Sequence, residues 1–164
     1  MPRDASELED VCTSASGYDT LPAYVPGKGK PHKAVLLTND GKYWLASSTY
    51  DYPSAWFLPD KGDPKVVDTV VCDERVNTAP AGKTCKMQDE TTKKTVTITM
   101  YNTAYRVRVR AAHTGKTLIE RLVTASSRQC PYLAMTFSED GQNKYYTEPT
   151  ADQIRTVIKP VLAP

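Results

Sequence analysis

Residues 95–125 read TVTITMYNTAYRVRVRAAHTGKTLIERLVTA, and this stretch decides the fold class. TVTITM (95–100) alternates strictly, with Val96, Ile98 and Met100 on one side and Thr95, Thr97 and Thr99 on the other. A period of two marks a half-buried strand. YRVRVR (105–110) repeats the pattern, which predicts Tyr105, Val107 and Val109 facing inward and Arg106, Arg108 and Arg110 outward. His113-Thr114-Gly115-Lys116 is a turn signal, and TLIERLVTA (117–125) is the returning strand of a hairpin.

Working outward, VVDTVVC (66–72) and TCKMQ (84–88) read as two further strands, separated by a turn in the Pro- and Gly-containing stretch 77–82. HKAVLLT (32–38) reads as a buried strand, Asn39-Asp40-Gly41 as a turn, and KYWLA (42–46) as its partner. PYLAMTF (131–137) is the last strand expected, and residues 47–64 form a long loop. The tail changes period. Thr150 and Gln153 have the spacing of a capping box, and Ile154, Val157, Ile158, Val161 and Leu162 follow a helical stripe. Pro160 is expected to end or bend that helix. The pattern predicts a mainly β fold, an antiparallel sandwich or barrel of about 7–8 strands, with one C-terminal helix over about 150–159. Residues 1–31 read as an irregular lead-in to a single domain over 32–164.

The 164 residues are 40% hydrophobic and 24% charged, and 21 Lys+Arg against 19 Asp+Glu leave a net charge of +2. That balance excludes a polybasic tail protein and an acidic disordered one. No apolar run approaches the roughly 18 residues of a membrane-spanning helix.

Cys12, Cys72, Cys85 and Cys130 make an even count with no CxxC and no zinc-ligand spacing. Three disulfide connectivities are open. A bridge across a turn favours Cys72–Cys85, leaving Cys12–Cys130 to tie the lead-in to a late strand. Oxidised cysteines imply an extracytoplasmic location. MPRDASELED (1–10) carries no signal-peptide pattern, so either a signal or anchor has been removed or the cysteines are free in a cytosolic protein; the first reading is preferred.

Motifs for catalysis are absent: there is no GxSxG, HExxH, P-loop or GxGxxG. His32 stands at a loop–strand junction and His113 in a turn. The acidic pairs Asp73-Glu74, Asp89-Glu90 and Glu139-Asp140 lie beside predicted turns, where solvation is expected. No metal site and no cofactor is indicated. Two surfaces are candidates for binding. The first is the Arg106, Arg108, Arg110 stripe, in a stretch (104–128) that carries a local charge of +5. A solvated face paired with cross-strand acids such as Glu120 is the plainer reading of it. Nucleic acid is disfavoured because no aromatic residues interleave the arginines. The second is the aromatic segment 43–57, which holds six of the 14 aromatic residues; Tyr50, Tyr52 and Trp56 are its candidate contacts, with Tyr50 and Tyr52 expected to be exposed beside Thr49, Asp51 and Pro53. The plainer reading is a loop pinned over the sheet by its own rings, with Trp44 and Trp56 in the core. An outward Arg108 further predicts that Arg108→Glu weakens binding of an anionic partner and leaves the thermal midpoint nearly unchanged.

Cys12, Ala23-Tyr24, Gly29-Lys30-Pro31-His32, Val70-Val71-Cys72, Val107-Arg108-Val109-Arg110-Ala111-Ala112-His113-Thr114-Gly115-Lys116 and Cys130-Pro131 form short blocks covering about a quarter of the chain. In these the chain resembles a family of uncharacterised bacterial domains that follow a signal peptide or membrane anchor. The resemblance implies an extracytoplasmic, disulfide-bonded β-domain and carries no activity or functional residues.

The expectation is therefore a non-enzymatic extracytoplasmic binding domain of the cell envelope, whose partner is a protein or an anionic envelope component. The alternative is a small secreted hydrolase, or a hydrolase inhibitor, with a site at the aromatic segment 43–57 using Asp51 or His32. A purely structural domain predicts that neither surface is special. Oligomeric state is not encoded in any feature of the sequence.

Overall fold

A computed structural model describes residues 2–27, 31–59, 61–126, 129–132 and 143–163. Its framework is a long antiparallel ribbon. The alternating segments that read as four strands are two: β3, Thr69–Gln88, and β4, Thr95–Ala111. Their turn is at Asp89–Lys94, where Asp89 Oδ1 accepts hydrogen bonds from the Thr91 and Thr92 amides at 2.9 and 2.7 Å. The turn expected at 77–82 is instead two register shifts within β3, between Arg75 and Asn77 and between Pro80 and Thr84. β1, Ala34–Asn39, runs parallel to β3 and stops opposite Glu74. Beyond that point β3 has no outer neighbour among the described residues, and at such an edge Pro and bulges are tolerated without loss of a ladder.

β2, Trp44–Ala46, pairs antiparallel with β1, as the Asn39-Asp40-Gly41 turn predicts. β5, Thr117–Ala125, pairs antiparallel with β4 from Arg110↔Thr117 to Thr103↔Ala125, confirming the predicted hairpin. β6, Lys144–Tyr146, runs parallel to β4 alongside Thr99–Tyr101. The described strands form one mixed, open sheet in the order β2-β1-β3-β4-β5, with β6 on β4. Two pairings are parallel, where an antiparallel arrangement was expected. The expected strand 131–137 lies largely outside the described residues.

Both faces of the sheet are covered. On one face lies α2, Ala151–Leu162, begun by the predicted Thr150/Gln153 capping box. It buries Ile154, Val157, Ile158, Val161 and Leu162 against Leu36, Val71, Val107, Val109, Trp56 and Phe57. Pro160 does not end the helix. The last turn is held by burial of Val161 and Leu162, and Leu162 O accepts a hydrogen bond from the His32 amide at 2.9 Å, so tertiary packing outweighs the local cost of proline.

On the other face lies the lead-in, which is not irregular. A 3-10 turn at Ser6–Leu8 leads into α1, Glu9–Thr13. Leu8, Val11 and Cys12, spaced i, i+3, i+4, join Leu21, Val35, Leu37, Val70 and Cys72 in a second core cluster. This segment lies so close to the β4–β5 turn that a Cβ on Gly115 would stand 1.8 Å from Ala15 O; Gly115 also has φ +71°, a region that favours glycine.

The two disulfides are Cys12–Cys72 and Cys85–Cys130, with Cα separations of 5.6 and 5.7 Å. The expected Cys72–Cys85 and Cys12–Cys130 pairing is thus corrected. Cys72 and Cys85 lie on one continuous strand, roughly 40 Å apart at the usual rise per residue, far beyond disulfide reach.

Candidate functional site

Past Ala46 the chain leaves β1, and it returns at Phe57, which bridges Ala34 in parallel. Ser47 N donates to Leu36 O at 2.9 Å and Leu58 N to Ala34 O at 2.9 Å, so two separate segments share the β1 edge. The gap between them is a cleft of about 370 Å³. Its floor is Ala34–Leu36; its walls are Ala46, Ser47 and Thr49 on one side, and Leu58, Pro59, Lys61 and Gly62 on the other; Arg3, Asp4 and Ala5 close one end.

Arg3, Asp4 and Lys61 are the charged groups of the lining. Asp4 is committed locally: its Oδ1 accepts from Ser6 Oγ at 2.5 Å and from the Ser6 and Glu7 amides. The Ser6 hydroxyl, followed by these amides, holds its carboxyl below the usual carboxylate range. The Arg3 guanidinium and Lys61 ammonium make no hydrogen bond or ion pair among the described residues. Beside the cleft wall, Tyr50 is 93% exposed, and on the adjacent edge Tyr43 and Leu45 are 69% and 62% exposed. The cleft can therefore offer two unspent cations, hydroxyls and an apolar aromatic rim.

Of the sequence candidates, Tyr50 stands free as expected, Tyr52 is half-buried with its ring edge-on to Phe57 at 5.2 Å, and Trp56 is core, only 7% exposed. The arginine stripe is not an outward face. The lead-in covers it, leaving Arg108 9% and Arg110 8% exposed. Arg108 Nη2 donates to Glu74 Oε2 at 2.7 Å, and Arg110 Nη1 to the Val11 carbonyl at 3.0 Å. Burial, and secondarily the Arg108 charge, pull the Arg110 pKa down. Arg106 alone keeps a substantially exposed side chain, 43%. Glu120 is opposite Arg108 in register, but the close ion pair of Arg108 is with Glu74.

His32 and Asp51 are not brought together by any hydrogen bond or ion pair among the described residues. His32 is 6% exposed; its Nδ1 faces Asp68 Oδ2 at 2.5 Å and its ring lies 4.5 Å from that of Tyr24. A carboxylate on Nδ1 is the arrangement that orients a catalytic imidazole. Here Nε2 is buried and has no hydrogen-bond partner among the described residues, and the Tyr24 hydroxyl is directed at Val161 O at 3.5 Å. The trio clamps Tyr24 and His32 to the end of α2.

Asp73 is a group the sequence reading misplaced. With Glu74 it lies mid-strand, not beside a turn, and the two side chains point to opposite faces. Glu74 meets the arginines; Asp73, 4% exposed, lies on the α2 face with Oδ1 unpartnered among the described residues. Burial, and then the Glu148 charge, push its pKa up to about 7. Tyr52 and Tyr105 are each pushed up to about 12, chiefly by burial, with Asp73 adding to both. The alternation of VVCDERV (70–76) carries the signal for this burial: Asp73 falls in phase with Val71.

No group of three or more metal-ligating side chains occurs among the described residues, and no helix there is long and apolar enough to cross a membrane. Two disulfides are the chemistry of an oxidising environment. Comparison with known proteins finds no matching family model, no matching curated protein and no matching solved structure.

Proposed function

We propose that this chain is a non-enzymatic extracytoplasmic domain that binds an anionic component of the bacterial cell envelope in the cleft between β1 and the segment 46–62. The observation that carries this reading is the pair of unpaired cations, Arg3 and Lys61, lining a 370 Å³ cleft whose carboxylate, Asp4, is already spent on its own turn. Such charges attract an anionic group from a distance, and the hydroxyl of Thr49 gives it a donor on arrival, the Ser47 hydroxyl being already donated to Thr38 Oγ1 at 2.6 Å. The exposed Tyr50 beside them supplies the rigid apolar area that interfaces favour. The two disulfides fit secretion or anchoring outside the cytoplasm. Arg106 on β4 is a further exposed cation but has Glu74 within 3.8 Å.

Co-sedimentation with isolated bacterial cell walls tests the reading. The wild type is expected to pellet with intact walls and not with walls stripped of their anionic polymers, and Arg3→Ala/Lys61→Ala to lose most of that binding at an unchanged thermal midpoint. Equal pelleting of variant and wild type, or no pelleting of either, rejects it.

The hydrolase reading rests on the His32–Asp68 pair. It predicts that Asp68→Asn abolishes turnover of an ester or peptide substrate; the structure of the pair, with Nε2 sealed from solvent, supports a clamp instead.

A further inference from the structure

Asp73 is buried on the α2 face. Its charge acts on Tyr105 of β4 and on Tyr52 of the aromatic segment, and Glu148, from the link between β6 and α2, acts on it. Arg75, two residues on along its own strand, acts on Tyr105, and Arg155 of α2 and the neighbouring Asp51 act on Tyr52. The two cations are occupied. The Arg75 guanidinium lies 4.0 Å above the Tyr146 ring, and Arg155 holds Asp152 Oδ1 and the Asp51 carbonyl, each at 2.5 Å. No hydrogen bond or ion pair satisfies Asp73 Oδ1 among the described residues, while a second carboxylate, Glu148, acts on it. A carboxyl so placed is tolerated uncharged; ionised, it is an unpaired buried charge, which is costly in low dielectric, and the exposed Glu148 adds a weaker, screened repulsion.

We propose that the proton on Asp73 latches the aromatic segment 47–62 to the sheet, so that the cleft is assembled when Asp73 is protonated and loosened when it ionises. Tyr52, on which the Asp73 charge acts, carries the coupling. Its ring packs into the α2-side core beside Phe57, and the segment on either side of it supplies both walls of the cleft: Ser47 and Thr49 before it, Leu58 to Gly62 after it. Ionisation of Asp73 repels Glu148 and charges the pocket against which Tyr52 packs, and the strain falls on the two elements that are not strands of the sheet: the aromatic segment and the 147–150 link. This inference rests on the cleft being the binding site. Wall binding is stronger on the acidic side of neutral and weaker above it.

The test is read first without any ligand. Amide hydrogen exchange of residues 50–57 is followed at pH 5.5 and pH 8, corrected for intrinsic chemistry and compared with the amides of β4. The wild type is expected to lose at least tenfold in protection of this segment at pH 8 while β4 holds. Asp73→Asn removes the difference, and Glu148→Gln, which takes away a charge that raises the Asp73 pKa, shifts it to lower pH. Should Asp73→Asn fail to fold, the Glu148→Gln shift decides the matter alone. Protection that is independent of pH in the wild type, or a pH dependence that survives both substitutions, overturns the latch. Co-sedimentation with intact walls at the same two pH values completes the test. Binding that falls several-fold at pH 8 in the wild type but not in Asp73→Asn supports the coupling. Unchanged binding across a responding latch overturns it, and absence of binding at both pH values is the separate failure of the cleft reading.

Discussion

Glu74 Oε2 accepts a hydrogen bond from Arg108 Nη2 at 2.7 Å and stands 3.8 Å from Arg106 Nη1, so one carboxylate answers two arginines on the face beneath the N-terminal segment. The Arg108 side chain is 10% exposed and the Arg106 side chain 43%. Their substitutions therefore separate. Breaking a buried ion pair costs about 3–5 kcal/mol, and the partial exposure of Glu74 lowers the expectation for Arg108→Glu to about 2–3 kcal/mol. At this chain length that is a fall of about 5–10 °C in thermal midpoint. Arg106→Glu, at an exposed position, costs under about 1 kcal/mol. Thermal melts of the two variants check this. The sequence expectation of an unchanged midpoint for Arg108→Glu is reversed by the burial.

Asp73 gives the protein a distinctive pH dependence. Its folded pKa, about 7, lies above its ordinary 3.8, so the folded state holds the proton more tightly. The stability linked to it is fully present below about pH 4 and is lost as pH rises through 7. Asp73→Asn keeps the shape without the charge, so its stability is expected to exceed that of the wild type at pH 8 by a gap on the order of 3 kcal/mol, which closes toward pH 4. Urea unfolding of both proteins at pH 5, 6.5 and 8 measures the gap. A constant difference across this range would remove Asp73 as its source.

Proteolysis without reduction, followed by mass spectrometry, is expected to recover peptides joined through Cys12–Cys72 and Cys85–Cys130. The first bridge closes a loop across a sequence separation of 60, for which chain entropy predicts about 4 kcal/mol of stabilisation. Cys12→Ala/Cys72→Ala is thus expected to be among the most destabilising pairs, and to free the lead-in from the arginine face.

Local patterns were legible and long-range ones were not. The β4–β5 hairpin, the β1–β2 hairpin and the capped α2 each follow from contiguous residues with a clear period and a turn or cap signal. The continuity of β3 through Pro80 and Gly82 was hidden because those residues ordinarily signal a turn; past Glu74, β3 has no outer neighbour among the described residues, and there they interrupt no ladder on that side. The parallel pairing of β1 with β3 has no local signature at all. The arginine stripe misled for a related reason. Alternation shows that two faces differ, and it does not show that the polar one is wet; here Leu8, Val11 and Cys12 cover it. Of the candidate site, exposed Tyr50 was readable from its polar neighbours, whereas the cleft needs Arg3 and Lys61 brought together from opposite sides of β1, which no spacing along the chain foretells.

The α2 cap offers an independent check on the fold. Thr150 Oγ1 accepts from the Gln153 amide at 3.3 Å, and Gln153 Oε1 accepts from the Thr150 amide at 2.9 Å. Thr150→Ala is expected to cost about 1 kcal/mol with no change in binding, while Thr150→Ser is nearly neutral. Chemical denaturation of the two variants measures both.

The most direct measurement of the central claim places a benzophenone-bearing phenylalanine analogue at Tyr50, beside the cleft, or at Leu122, which is 64% exposed on the distant β5. Each labelled protein is irradiated with intact bacterial cell walls. The account predicts a covalent adduct with wall material from position 50, suppressed by Arg3→Ala/Lys61→Ala, and none above background from position 122. Equal adducts from both positions, or adducts from position 122 alone, would contradict it.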